Sequence, residues 1–157
     1  MGEKAEGTAV NGEISLKIKK LRPGARIPTR GSALSAGYDL YACLEDSVAI
    51  APGETKGIGT GLSLALPEGW FAGIFARSGL ALKQGLRPAN CVGVCDADYR
   101  GEYIVALHND SAVPRTVEDG ERIAQLILLP CAALVFEETD ELPDSDRGEG
   151  GFGSTGT

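Results

Sequence analysis

Apolar and polar residues alternate along most of this chain. "ISLKIKKL" sets Ile14, Leu16 and Ile18 against polar neighbours, and "GIGTGLSLAL" places Ile58, Leu62, Leu64 and Leu66 at even spacing. A period of two is the period of a half-buried strand. "GWFAGIFA", "EYIVALHN", "RIAQLILL" and "CAALVFEE" are short, apolar and rich in β-branched or aromatic residues, which also predicts strands. Between them stand the turn signals "RPG", "APGET", "LPEG", "RPAN", "DYRGE" and "VEDGE". Many short strands at roughly ten-residue intervals predict an all-β fold, an antiparallel sandwich or a jelly-roll-like β-barrel. One stretch alone reads as helix, "SGLALKQG" at residues 78–85, with Ser78 placed to cap it and Gly85 to end it. Neither a repeat of solenoid length nor a coiled-coil heptad is present.

The pattern also divides the chain. The start, "MGEKAEGTAVNGE", is polar, so residues 1–13 are expected to be a disordered extension. It lacks the apolar segment of a secretory signal, and no Ser or Thr at position six supports myristoylation. Residues 14–138 carry the strands and form the β-barrel domain. From Glu137 onward the chain turns acidic and then glycine-rich. Glycine loses the most backbone freedom on ordering, so residues 139–157 are expected to be a flexible C-terminal arm rather than core. Extended at roughly 3.3 Å per residue, the arm reaches on the order of 60 Å, far enough to meet a neighbouring subunit.

Composition narrows the function. A length of 157 residues fits one domain, and a hydrophobic fraction of 43% supports a real core. A formal net charge of -7 argues against nucleic acid as the partner but leaves room for a small phosphorylated ligand, which needs only a few local cations. No apolar run approaches the ~20 residues that span a bilayer, so no membrane role is expected. The expected location is the cytoplasm, or the nucleus as well in a eukaryotic cell. Cys43, Cys91, Cys95 and Cys131 form no CxxC pair, and His108 is the single histidine, which argues against zinc. The four are expected to be buried free thiols, with Cys91 and Cys95 spaced for one face of a strand. His108 in "VALHND" reads as structural.

Five stretches hold polar residues too closely among apolar residues and glycine to be simple decoration. In "SAGYDLYA", Asp39 sits inside an apolar strand start, as a turn cap or as part of a charged site. In "FARSGLALKQG", Arg77, Ser78 and Gly79 open the helix, where free N–H groups and an arginine fork suit phosphate; Lys83 reads as solvated. In "NCVGVCDADYRGE", Asn90 and Gly93 lie in a strand or hairpin followed by Asp96, Asp98 and Tyr99. The segment is a turn, or a hairpin whose fixed backbone donors and acceptors read one base edge. In "DGERIAQLILLP", Gln125 interrupts an apolar strand and needs partners, either across the strand or on a ligand, while Arg122 reads as a surface or interface residue. Last, "RGEGGFGSTGT" keeps Arg147, Phe152, Gly153, Ser154 and Thr155 on the arm. No GxxxxGK[ST] loop and no Ser-His-Asp set is available.

In that order, "AGYDLYA", "RSGLALKQG", "NCVGVCDADYRGE", "GERIAQLILLP" and "RGEGGFGSTG" resemble the five motifs of the trimeric deoxyuridine triphosphate pyrophosphatases (dUTPases). The resemblance runs from about Lys17 to the C-terminus. It implies a homotrimer whose active sites are shared between subunits and closed by the arm. It implies hydrolysis of dUTP to dUMP and pyrophosphate with Mg2+, which keeps uracil out of DNA and supplies dUMP for thymidylate synthesis. Asp96 resembles the catalytic carboxylate. Tyr99 would press on the deoxyribose, Asn90 and the backbone around Gly93 would read uracil, and Arg77, Ser78, Gly79 and Gln125 would meet the phosphates. Arg147, Ser154 and Thr155 would hold the γ-phosphate, with Gly153 beside them among the substrate-binding residues. Phe152 would stack on uracil, and Asp39 would hold water on Mg2+ or maintain the charged network behind it, without binding the ion directly. A dCTP deaminase shares the fold but lacks the complete arm, and a non-catalytic β-trimer would not need Asp96 together with Tyr99.

Overall fold

A computed structural model describes residues 9–10 and 13–151. Its strands follow in chain order as β1 (Ala9–Val10), β2 (Glu13–Ile14), β3 (Lys17–Lys20), β4 (Thr29–Arg30), β5 (Tyr38–Tyr41), β6 (Val48–Ile50), β7 (Thr55–Gly59), β8 (Leu62–Ala65) and β9 (Trp70–Phe75). The single described helix, α1 (Ser78–Gln84), comes next. After it run β10 (Leu86–Pro88), β11 (Val92–Cys95), β12 (Ile104–Asn109), β13 (Arg115–Val117) and β14 (Arg122–Pro130). Every strand pairing is antiparallel. The largest sheet has the order β11-β9-β14-β5-β4, a second has β10-β12-β7, and three two-stranded sheets complete the wrap. The strand order jumps between distant parts of the chain, as in a jelly roll, and hydrogen bonds do not close the sheets into a barrel.

The period-two pattern is what the core collects. Ile58, Leu62, Leu64 and Leu66 are all buried, together with Leu40, Ile50, Leu107 and Ile123. Burying each such side chain contributes about 1.5–3 kcal/mol before entropy is counted. The stretch "GIGTGLSLAL" is not one strand, however. Gly61 has φ +68°, and a Cβ there would lie 2.8 Å from Ala25 Cβ. At that corner the chain leaves β7, paired with β12, and enters β8, paired with β3. Buried Thr60 and Asn109 are matched: Thr60 Oγ1 donates to the Tyr103 carbonyl at 2.7 Å, and Asn109 Nδ2 donates to the Ile50 and Val113 carbonyls at 2.9 Å.

Three expectations need correction. Ser78 does not cap the helix: Arg77 is the N-cap, with extended backbone (φ −94°, ψ 122°) and no side-chain capping bond, while Gly85 ends the helix as expected at φ 68°. "CAALVFEE" forms no strand. Residues 131–149 are exposed, and Leu134, Val135 and Phe136 present 70–96% of their surface to solvent. The last tie to the body among the described residues is the Cys131 amide, donating to the Gly69 carbonyl at 2.7 Å. The thiols are all free, but only Cys43 is buried; Cys95 is half-buried, and Cys91 and Cys131 are exposed. Cys91 does not share a strand face with Cys95, because it precedes β11 with φ +61°.

Candidate active site

The "NCVGVCDADYRGE" stretch forms the edge strand β11 and the turn after it, not a hairpin, and builds a cleft. β11 pairs with β9 through Gly93↔Ile74 and Cys95↔Ala72, which leaves its other edge open. A cavity of about 250 Å3 lies there, lined by Asn90, Gly93, Asp96, Tyr99 and Tyr103, with Ile74 among its apolar walls. Small-molecule pockets span roughly 300–1,000 Å3, so this cavity falls just below that range. Gly93 is buried, and a Cβ on it would lie 3.2 Å from both Ile74 Cβ and Asn90 Nδ2. The chain entering β11 is strained. Cys91 is the one described non-glycine residue with positive φ, a conformation that costs about 1–3 kcal/mol and persists only when its surroundings impose it. Arg87 helps impose it, with Nη1 donating to the Pro88 carbonyl at 3.2 Å and to Cys91 Sγ at 3.5 Å.

Asp96 stands exposed at the end of β11, on the cleft. The Tyr99 amide donates to its carbonyl at 3.2 Å and closes the turn. The Tyr99 hydroxyl donates to the Glu102 carbonyl at 3.0 Å. Its ring folds back over Gly101, where a Cβ would lie 2.5 Å from Tyr99 Cζ, so only glycine permits that pose. Behind it the Tyr103 ring packs at 6.0 Å, tilted by 39°. Glu102 braces the turn from below. Arg22 donates to its carboxylate and the Gly61 amide donates to Oε1 at 2.7 Å. Burial pushes the Glu102 carboxyl up, but the Arg22 guanidinium and the Gly61 amide outweigh that and hold it below the usual carboxylate range.

A second group of polar residues gathers on β5, β14 and the end of β9. Asp39 is a member of a charged site, not a turn cap. Its Oδ1 accepts from Arg77 Nε at 2.8 Å and its Oδ2 from Arg122 Nη1 at 3.3 Å. Both arginines therefore converge on one carboxylate that is only 14% exposed. Gln125 lies opposite both Asp39 and Phe75 in register, and its Nε2 donates to the Ala76 carbonyl at 2.9 Å. Ser78 and Gly79 are exposed at the start of α1. Nothing described lies within 4 Å of a Cβ on Gly79, so packing within the described chain does not demand a glycine there.

Of the residues singled out from the sequence, Asn90, Gly93, Asp96 and Tyr99 share the cleft, and Asp39, Arg77 and Gln125 share the charged group. β11 and β5 stand three strand spacings apart in one sheet, about 14 Å at the usual spacing. Arg147 is exposed on the tail, where its Nε donates to the Gly150 carbonyl at 2.8 Å. Phe152, Gly153, Ser154 and Thr155 lie outside the described residues. Sequence reasoning missed Arg122 as the second partner of Asp39, and it missed Gly37, Glu102 and Tyr103. The register of two strands far apart in sequence brings Arg122 to Asp39, and no local pattern reveals such a pairing. Glu102 did carry a signal, because it closes the "DYRGE" turn before an apolar strand.

Comparison with known proteins points one way. The dUTPase family model matches residues 24–156. A deoxyuridine 5'-triphosphate nucleotidohydrolase of Desulfitobacterium hafniense is 47% identical over 146 residues, covering 91% of this chain and 97% of the relative. The dUTPase of Staphylococcus bacteriophage 80alpha, solved as a mutant with dUpNHpp, superposes with a TM-score of 0.84 at 29% identity, over 91% of this chain and 99% of its own. A mutant dUTPase from phage phi11 of S. aureus, described with a coordinated structural Mg(II) ion, shares the fold at a TM-score of 0.75 and 22% identity, over 83% of this chain and 99% of its own.

Proposed function

The chain belongs to the dUTPase family, and from that premise we propose that it is a dUTP nucleotidohydrolase cutting dUTP to dUMP and pyrophosphate by attack of water on the α-phosphorus. The observation that carries this reading is the cleft itself, where Asn90, Gly93, Asp96 and Tyr99 meet around one cavity. The open main chain of β11 offers donors and acceptors of fixed polarity for the edge of uracil. Cytosine reverses that pattern at position 4 and along N3, and leaves polar groups of the site unpaired, a mismatch worth roughly 10⁴-fold in discrimination. Thymine adds a methyl group, which the close wall of β11 excludes by shape. Tyr99, pinned by Glu102 and Gly101, presses on the sugar and leaves no space for a 2′-hydroxyl.

Asp96 orients the attacking water and accepts from the sugar 3′-hydroxyl. Positioning and electrostatics carry the step, and no covalent intermediate is needed. Arg77, Ser78, Gly79 and Gln125 meet the α- and β-phosphates. The Asp39 carboxylate is already engaged by Arg77 and Arg122, so it fits contact with a metal through water rather than direct ligation. The described residues hold no cluster of three or more metal-ligating side chains. That donor set suits Mg2+, which is usually held by substrate phosphates and water with few carboxylates. When bound, Mg2+ neutralises phosphate charge. Arg147, Phe152, Gly153, Ser154 and Thr155 close the site from the arm, and three chains share three sites, which accounts for a cleft and a charged group lying apart on one sheet. The enzyme works in the cytoplasm on a free nucleotide; among the described residues no helix is long and apolar enough to cross a membrane.

The direct test is Asp96→Asn. The variant is expected to bind dUTP as tightly as the wild type while turnover falls about 10²–10⁴-fold. Turnover at the wild-type rate would refute the catalytic assignment.

A further inference from the structure

Tyr103 stands out in the floor of the cleft. Its side chain is 2% exposed, yet its hydroxyl has no hydrogen-bond partner among the described residues. A buried phenol normally carries a hydrogen bond, and leaving one unmade costs about 1–3 kcal/mol. The other buried polar side chains, Thr60, Ser63 and Asn109, are all satisfied. The orphan therefore lies at the nucleotide cleft and not elsewhere in the core. The polar group beside it is the Cys95 thiol, which also lines the cleft and takes at most a weak contact from the hydroxyl, far weaker than a bond to oxygen. Burial pushes both the Tyr103 hydroxyl and the Cys95 thiol up, so both stay protonated at neutral pH and Tyr103 keeps a proton to donate.

We infer that Tyr103 is a further substrate-binding residue: its ring backs Tyr99, and its hydroxyl completes its hydrogen bonding on the nucleoside that enters the cleft. The acceptor class is an oxygen of the base or sugar, or a water carried in with it. The two parts of the side chain separate cleanly. The ring contact with Tyr99 at 6.0 Å is kept by phenylalanine, and only the hydroxyl is lost. A hydroxyl without an oxygen or nitrogen partner in the free protein predicts different costs for its removal: the free protein loses at most a weak sulfur contact, whereas the complex loses a full bond.

The inference rests on the dUTPase reading, and Tyr103→Phe tests it with the wild type measured in parallel. The melting temperature of free Tyr103→Phe is expected to equal or exceed that of the wild type. KM for dUTP, and Kd for a non-hydrolysable dUTP analogue, are expected to rise about 5–10-fold with kcat nearly unchanged, a loss near 1.4 kcal/mol at tenfold. Carbonyl and sugar contacts are told apart by repeating the Kd measurement with the deoxynucleoside lacking its 3′-hydroxyl; a penalty that vanishes there assigns the contact to the sugar. Unchanged KM and Kd in an active Tyr103→Phe enzyme overturn the inference and leave the dUTPase reading standing. A lower melting temperature with unchanged Kd likewise overturns it, and assigns the hydroxyl to the Cys95 thiol. If the wild type neither binds nor hydrolyses dUTP, both readings fall together.

Discussion

Gly37→Ala probes how the charged half of the site is assembled. Gly37 precedes β5 and has no positive φ that would require glycine. What it provides is room. A Cβ at Gly37 would land on Gln125 Oε1, and would lie 3.0 Å from Cδ and 3.2 Å from Cβ of the same side chain. The amide end of Gln125 can swing away, but its Cβ is fixed to β14 and cannot follow. Overpacking of this kind costs about 1–3 kcal/mol. Swinging the amide also breaks the bond from Gln125 Nε2 to the Ala76 carbonyl, worth about 1 kcal/mol. Together these predict a destabilisation of about 2–4 kcal/mol, or a fall in melting temperature on the order of 10 °C for a domain of this size. Thermal unfolding of the free protein reads the stability, and kcat/KM for dUTP reads the displacement of Gln125. Gly79→Ala is the control. No described atom lies within 4 Å of its Cβ, and alanine in a helix is favoured over glycine by about 0.5–1 kcal/mol, so the protein should be as stable or more so. If phosphate approaches that backbone, the same change should raise KM. An unaltered melting temperature for Gly37→Ala would refute the packing argument.

Two further predictions follow from the brace and the arm. The depressed Glu102 carboxyl contributes stability that is fully present above the unfolded value near pH 4.3 and is lost as pH falls through its lower folded value; Glu102→Gln should therefore flatten the fall in melting temperature over that acid range, and an unchanged slope would exclude the Arg22 pair as its source. Ending the chain after Asp146 removes Arg147 and the glycine-rich segment but no buried side chain among the described residues, so the truncated protein should melt at the wild-type temperature with severely reduced dUTP turnover, and full activity would remove the arm from the mechanism.

Much of this was legible in the sequence because a period of two marks its own strands. Ile58, Leu62, Leu64 and Leu66 are buried where their spacing places them. The pattern did not reveal that Gly61 turns the corner between sheets, since a positive φ leaves no trace in hydrophobic alternation. "CAALVFEE" has the composition of a strand yet lies exposed, because composition records a willingness to pair and not the presence of a partner edge. The cleft was readable as a motif because its residues are close in sequence. The Asp39, Arg77 and Arg122 cluster was only half readable, because strand register across most of the chain assembles it. Tyr103 looked like one more apolar strand residue, and only its burial without a partner set it apart.

The central claim is that the β11 edge strand and Tyr99 select a uracil deoxynucleotide and that Asp96 directs water at it. The most direct measurement is pyrophosphate release by the full chain with Mg2+, compared across dUTP, dTTP, dCTP and UTP. The account predicts rapid release from dUTP and rates lower by orders of magnitude from the other three. Equal rates across the four, or intact dUTP beside correctly folded protein, would contradict it.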